Sequence, residues 1–336
     1  MLEFKNNRLP SFSALFGKGA IGRLDGYIKV AKNLESQYHR HWLYFLYDIF
    51  ACRFLYGADL KDDYLYFKMY ALKRIERKRY VTYGKFVKQT KWFFTDYANE
   101  FVDSKSGFLE HYKNFCKRDY LILPHANDAD ARTFFEKNPI VFVKEEFSNC
   151  AKGVHKYKSQ DILTDSQLLA KILDTKGVVE AGVVQCKEMA ELNPDCVNTI
   201  RITTMIENGG GNVRIFSAAL RVGGKGAEVD NQHAGGCAFH VDVETGIVLS
   251  AGKDLKGNYV IFSPTGKVVP GFQIPKWEEV KRDVVKAASV CLEARFIGWD
   301  VAIGEDGPIF IEANNSCGET LYQFDGPQWD YFLKQK

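Results

Sequence analysis

Asp300, Glu312 and Asn314 lie in one stretch near the C-terminus, 296–315, reading FIGWDVAIGEDGPIFIEANN. Two apolar runs, 297–303 and 308–313, flank Gly304, Glu305, Asp306 and Gly307, which is the pattern of a β-hairpin. With Glu305-Asp306-Gly307 as a three-residue loop and Gly307 in the left-handed position, Gly304 pairs with Pro308 and Asp300 falls opposite Glu312. Period two then puts Asn314 on the face of Glu312 and turns Ile311 and Ala313 away. Two carboxylates and an amide converging in an apolar hairpin form an all-oxygen donor set, suited to Mg²⁺ or Mn²⁺ bridging to substrate phosphates. A cation would also offset the cost of burying the carboxylates. The plain alternative is a solvated hairpin face.

Cations precede this set. Lys144 ends the apolar run IVFVK and is followed by EEFSNCAKGVHKY, a small-residue loop with a second cation at Lys152 and a glycine at Gly153. A strand-end lysine reaches phosphate oxygens, and such a loop lets backbone N–H groups approach them closely; a surface hairpin would read the same. Glu180 interrupts the apolar strand GVVEAGVV. Arg201 and Arg221 each sit inside an apolar strand, where a guanidinium is costly unless an anion meets it. The segment GGKGAEVDNQHAGGC, with Asp230, Asn231, His233, Gly235 and Gly236, has the composition of a substrate-contacting loop or of a plain connection.

The elements that must position these residues divide in two. Residues 1–125 carry 22 Lys and Arg against 13 Asp and Glu, net +9, and 28 of the 47 aromatics, so the compositional boundary falls at 125. Up to about Phe115 the pattern is helical, with apolar positions spaced by three or four. Its basic run, Lys73, Arg74, Arg77, Lys78 and Arg79, is either a solvated helix face or a contact for anionic lipid or a nucleotide-linked substrate. No base-reading motif accompanies the charge, so no nucleic-acid partner is expected. A helix is expected from about 105 to 117. Beyond Pro139, β-branched runs at 140–144, 177–184, 197–207 and 213–222 alternate with turns, with helices near 165–176 and 276–296. This is an α+β pattern with a largely antiparallel sheet.

No apolar run approaches the roughly 20 residues of a membrane span, and the first residues lack a signal-peptide core, so a cytoplasmic location is expected. Eight cysteines without a CxxC pair indicate neither a zinc site nor a disulfide framework.

The order of parts resembles the ATP-grasp superfamily: a strand-end Lys, a glycine-containing loop, an acidic strand about 35 residues on, an NTIR strand, a helix and a D…ExN hairpin. More narrowly, NTIRITT, LRVGGKG…DNQHAGG, GWDVAI and GPIFIEANN resemble the sugar-transfer-associated ATP-grasp proteins, over roughly residues 100–325. The resemblance implies two α+β lobes around a nucleotide cleft, preceded by a mainly helical N-terminal lobe at 1–125. A nucleotide-covering lobe at about 126–190 and a metal and substrate lobe at about 191–336 would follow. It implies that Lys144 binds an ATP phosphate, with Lys152 and Gly153 in the covering loop. Glu180, Ala181 and Val183 would lie against adenine mainly through backbone groups, and Glu188 at the ribose. Arg201 would sit on the transferred phosphoryl, and Asp300, Glu312 and Asn314 would hold one or two Mg²⁺.

The leading functional expectation is an ATP-dependent carboxylate–amine ligase acting through an acylphosphate, with Arg221, Asp230 and Asn231 as substrate contacts. The substrates would be small carboxylates and amines, with a sugar acid or other cell-surface glycan precursor as one partner. The alternatives are a kinase of the same fold, and a non-catalytic nucleotide-binding scaffold of envelope assembly whose basic aromatic lobe docks peripherally on membrane. Asp300→Asn and Glu312→Gln are each expected to abolish ATP turnover with little loss of folding.

Overall fold

The computed structural model describes residues 20–147, 153–208, 211–227, 230, 235–254 and 257–336. The chain forms two compact units, one of residues 1–78 with 82–85 and one of 79–81 with 86–336, so packing divides upstream of the compositional step at 125. Composition counts residue types; it does not register which core they join. Phe101, Phe108, Leu109 and Tyr112 belong to the core that holds Ile200 and Trp299.

The first unit is helical. Helices Ala20–Tyr38 and Trp42–Tyr56 pack together, and the second ends at Gly57, whose φ of 70° makes the left-handed cap that returns its N–H to the Arg53 carbonyl. Helix 42–56 turns Phe45, Ile49 and Cys52 inward together with Asp48. Arg77 neutralises Asp48 at 2.5 Å, and the Tyr64 hydroxyl donates to it at 3.0 Å, which satisfies the buried carboxylate. Burial pushes the Cys52 thiol up to about 11, so it is a protonated core residue.

The second unit contains two antiparallel sheets. Strands β1 (Tyr120–Ile122), β2 (Ile140–Glu145), β3 (Val154–Lys158) and β4 (Gly177–Ala181) form the smaller, in the order β1-β4-β2-β3. Period-two burial along β2 sends Val141 and Val143 into a core with Phe134, Phe135, Ile162 and Leu169 from the helices beside the sheet. The larger sheet comprises β5 (Thr199–Ile206), β6 (Val213–Val222), β7 (Cys237–Val241), β8 (Gly252–Lys253), β9 (Tyr259–Val260), β10 (Phe296–Gly304) and β11 (Gly307–Asn314), in the order β11-β10-β5-β6-β7-β8-β9. The α+β, antiparallel expectation holds.

Both β5 and β10 are buried along their whole length, because each face of the sheet is covered. Helix Trp277–Ala288 packs on the face of Ile200, Ile202, Trp299 and Val301. It is shorter than the expected 276–296: Ser289 closes its last turn on the Val285 and Lys286 carbonyls, and residues 289–295 lead into β10. The expected 105–117 helix is likewise two, Lys105–His111 and Lys113–Cys116, broken at Tyr112. Alternation leaves Thr199, Arg201 and Thr203 on the other face of β5, which positions the site.

Candidate active site

The hairpin reaches the expected pairing by a different route. Gly304 pairs with Gly307 around a two-residue loop, Glu305-Asp306, and a bulge at Ile311 shifts the register so that Asp300 stands opposite Glu312 and Gly298 opposite Asn314. Gly307 takes a φ of 115°, a conformation that glycine adopts without strain. The predicted pairing of Gly304 with Pro308 is therefore corrected, while the facing carboxylates remain.

Asp300 is the centre of a buried charge network. On the neighbouring strand Arg201 pairs with it directly, its Nε donating to Oδ1 and its Nη2 to Oδ2 at 3.1 Å. Arg221 on β6 donates Nη1 to the same Oδ2 at 2.7 Å and Nη2 to Asp230 at 2.8 Å. Asp230 also accepts from the Thr199 N–H at 2.9 Å and from the Thr199 hydroxyl. A Cβ on Gly298 would lie 3.3 Å from Arg201 Cδ and 3.1 Å from Cys317 Cα, so glycine there leaves room for the guanidinium stem.

The energetics separate the carboxylates. Burial would raise the Asp300 carboxyl, but Arg201 and Arg221 outweigh it and hold the group well below the usual range. Glu312 goes the other way: burial and the neighbouring Asp300 charge push it up. Asp230 is also raised by burial, which Arg221 and Thr199 offset only in part.

A second cluster comes from the smaller sheet. Glu180 is buried on β4 and accepts from Lys144 Nζ at 2.8 Å and from Arg118 Nε and Nη2 at 2.8 and 2.5 Å. Burial would raise its carboxyl; Arg118 and Lys144 bring it below its ordinary value. Arg118 further donates to the Phe310 and Ile311 carbonyls at 2.5 and 3.1 Å, so one guanidinium ties β4 to β11, the strand of Glu312. Lys105 is held by the Glu146 carbonyl at 3.4 Å; burial lowers its ammonium group, with Glu312 raising and Lys144 lowering it. Glu312 feels Lys144 in turn. The two clusters are thus electrostatically continuous.

Other expected residues are distributed as follows. Gly153 lies in the turn before β3 with a φ of 66°, and its carbonyl accepts the Glu145 N–H at 3.0 Å. Ala181 ends β4 with its N–H donated to the Asp119 carbonyl at 2.9 Å. Val183 lines a cleft of about 310 Å³ together with Arg118, Gly304, Asp306 and Ile309. Glu188 is exposed in the first turn of the short helix Lys187–Ala190, outside both clusters. Gly235 and Gly236 precede β7, the former with a φ of 88°. Lys152, Asn231 and His233 lie outside the described residues.

Two residues that the sequence reading passed over are central. Lys105 follows the helix cap Ser104, and Arg118 lies within the run CKRD after the helix Lys113–Cys116; each reads locally as an ordinary helix-end cation. The hairpin donors fit a hard divalent cation. Asp300, Glu312 and Asn314 each offer a side-chain oxygen, and burial beside Asp300 raises the Glu312 carboxyl in spite of Arg201 and Lys144, a cost that such a cation would relieve. Among the described residues no group of three or more His, Cys, Asp or Glu forms a metal cage, so the set would rely on Asn314 and outside oxygens.

Residues 142–327, more than half of the chain, match the profile of the sugar-transfer associated ATP-grasp family. No curated protein matches the chain. Among solved structures, D-alanyl-alanine synthetase A from Vibrio cholerae O1 biovar eltor is similar at 14% identity, covering 71% of this chain and 64% of its own, with a TM-score of 0.44. D-cycloserine synthetase is similar at 13% identity over 72% of this chain and 71% of its own, with a TM-score of 0.43. N5-carboxyaminoimidazole synthetase from Staphylococcus aureus, solved with ADP, matches at 15% over 70% and 51%, again with a TM-score of 0.43. The chain thus spans less than two thirds of the length of the first of these.

Proposed function

Because the chain belongs to the sugar-transfer associated ATP-grasp family and has its fold, we propose that it is an ATP-dependent ligase joining a carboxylate to an amine through an acylphosphate. One observation carries this reading: Asp300 and Glu312 face each other across β10 and β11, and Arg118, which with Lys144 holds Glu180 on β4, also donates to the Phe310 and Ile311 carbonyls of the Glu312 strand. Phosphoryl transfer asks a protein for positioning and for positive charge around the transferred group, and these residues supply both.

In this reading residues 126–190 cover the nucleotide, residues 191–336 carry the metal and acceptor, and residues 1–125 precede them. Lys144 and Lys105 hold phosphate oxygens beneath the loop of Lys152 and Gly153. The Glu180, Ala181 and Val183 segment borders the adenine, and Glu188 the ribose. Arg201 meets the transferred phosphoryl. Arg221, fixed by Asp230, orients the acceptor beside the loop of Asn231, His233, Gly235 and Gly236. Asp300, Glu312 and Asn314 would hold Mg²⁺ or Mn²⁺, which supplies further charge neutralisation on the phosphates.

An acceptor carboxylate oxygen attacks the γ-phosphorus, the bond to the bridging oxygen breaks, and ADP leaves with that electron pair. The amine nitrogen then attacks the acyl carbon, the C–O bond breaks, and inorganic phosphate leaves while the amine proton passes to solvent. The family's association with sugar transfer supports a uronic acid or other glycan precursor as the carboxylate. Dependence on ATP supports a cytoplasmic reaction. Among the described residues no helix is long and apolar enough to cross a membrane.

Calorimetry with ATP, with and without Mg²⁺, tests the reading on wild type and Glu312→Gln. Metal-dependent binding that the variant loses, followed by hydroxamate formation and ADP release when hydroxylamine replaces the amine, is the expected result. Absence of ATP binding by the wild type overturns it. ADP release with a hydroxyl acceptor and no hydroxamate reassigns the protein as a kinase.

A further inference from the structure

We propose that the outer face of helix Trp42–Tyr56 is a docking surface for an anionic lipid bilayer, a property independent of the ATP chemistry. At 100° per residue, the positions from Leu43 round to Leu55 fill an arc of about 120°, while Phe50 beside it packs edge-on against Tyr27. Leu43, Tyr47 and Phe54 on that arc are 52, 74 and 69% exposed, and Tyr44 and Leu55 extend it at 39 and 60%. No charged residue falls on it. The helix meets its own core requirement on the opposite side through Phe45, Ile49 and Cys52, and its acidic residue, Asp48, is turned inward to Arg77. A helix face that met only water would carry Lys or Glu at such positions. A contiguous exposed apolar face of this kind marks a contact with something less polar than water.

Charge identifies the occupant. The unit of residues 1–78 and 82–85 holds 15 Lys and Arg against 8 Asp and Glu, net +7. Arg40 borders the apolar arc, stacked 4.4 Å from the Tyr44 ring, and Lys32 lies 5.8 Å from the Trp42 ring at the start of the helix. A second copy of the unit would bring the same positive charge against it; anionic headgroups bring the opposite sign. Tyrosine and tryptophan beside basic residues are the side chains that settle at a headgroup boundary. With 15 residues the helix is shorter than the roughly 20 of a membrane span, so it lies in the interface plane with the arc turned into the acyl boundary.

The test is flotation of the full chain with vesicles of equal parts phosphatidylglycerol and phosphatidylcholine, and with phosphatidylcholine alone. Wild type should float with the mixed vesicles at low salt, not with the neutral ones, and should release as ionic strength rises well above about 0.1 M. Tyr47→Glu with Phe54→Glu should lower the bound fraction at least tenfold with an unchanged circular-dichroism melt. If that pair unfolds the protein, Tyr47→Gln with Phe54→Gln replaces it, with the same loss expected. Failure of the wild type to float, or equal flotation of the folded double variant, overturns the proposal. So does a wild-type dimer that the double variant converts to a monomer, because the face would then pair with a second copy.

Discussion

Arg201 and Asp300 stand opposite each other on β5 and β10, and one guanidinium donates to both oxygens of the carboxylate while Arg221 adds a third contact. Asp300 is therefore a structural counter-ion as well as a candidate metal ligand. Its substitution and that of Glu312 should not behave alike. Asp300→Asn leaves two buried guanidinium groups short of charge and should cost about 3–5 kcal/mol. Glu312→Gln removes a carboxylate that Asp300 already disfavours and should cost no more than about 1 kcal/mol. Both should abolish Mg²⁺-dependent ADP release. Urea denaturation beside an ADP assay checks the pair; equal destabilisation would count against the network. For Asp300→Asn this prediction departs from the expectation of little loss of folding; for Glu312→Gln it keeps it.

The Glu180 carboxyl lies below its ordinary value of 4.5 in the folded protein: burial opposes this, and Arg118 and Lys144 overcome it. A depressed carboxyl contributes stability that is present above the unfolded value and lost as pH falls through the folded one. Glu180→Gln should therefore be less stable than wild type at pH 7 by about 3–5 kcal/mol, since two cations lose their partner. The gap should close on acidification below 4.5. Denaturation of both proteins across that window is the measurement, and a gap independent of pH would assign the effect to packing.

Lys105 begins the helix Lys105–His111 with its Nζ 3.4 Å from the Glu146 carbonyl, and burial lowers its ammonium group. If it holds a phosphate oxygen, Lys105→Ala should weaken MgATP binding about tenfold or more, equivalent to about 1.4 kcal/mol, with little change in melting. Calorimetric titration distinguishes this from a structural lysine, whose loss would lower the melt and leave affinity intact.

Asp230 is buried against Arg221 and Thr199, so on the proposed reading it positions Arg221. Asp230→Asn keeps an acceptor for Thr199 and loses the charge on Arg221. The expected outcome is a fall of about tenfold in kcat, about 1.4 kcal/mol, with KM for ATP nearly unchanged. A matching rise in the ATP KM would place Arg221 in ground-state nucleotide binding.

Local pattern was enough for the parts of the site that lie on single strands or on one hairpin. Alternation along FIGWDVAI and GPIFIEANN placed Asp300, Glu312 and Asn314 on one face, and the costly arginine inside NTIRITT announced a partner. Even the misjudged turn did not disturb this, because the bulge at Ile311 offset the shorter loop by one residue. Tertiary structure alone decided who the partners were. Arg118 and Glu180 are 62 residues apart in the chain and Arg201 and Asp300 are 99, so their pairing depends on sheet order and register rather than on neighbouring residue types. The pairing of Glu180 with two cations, the place of Lys105 beside Lys144, and the inward turn of Asp230 follow from which strands meet. A charged side chain reads the same in sequence whether water or a buried counter-ion awaits it, and only the assembled low-dielectric interior makes that difference large.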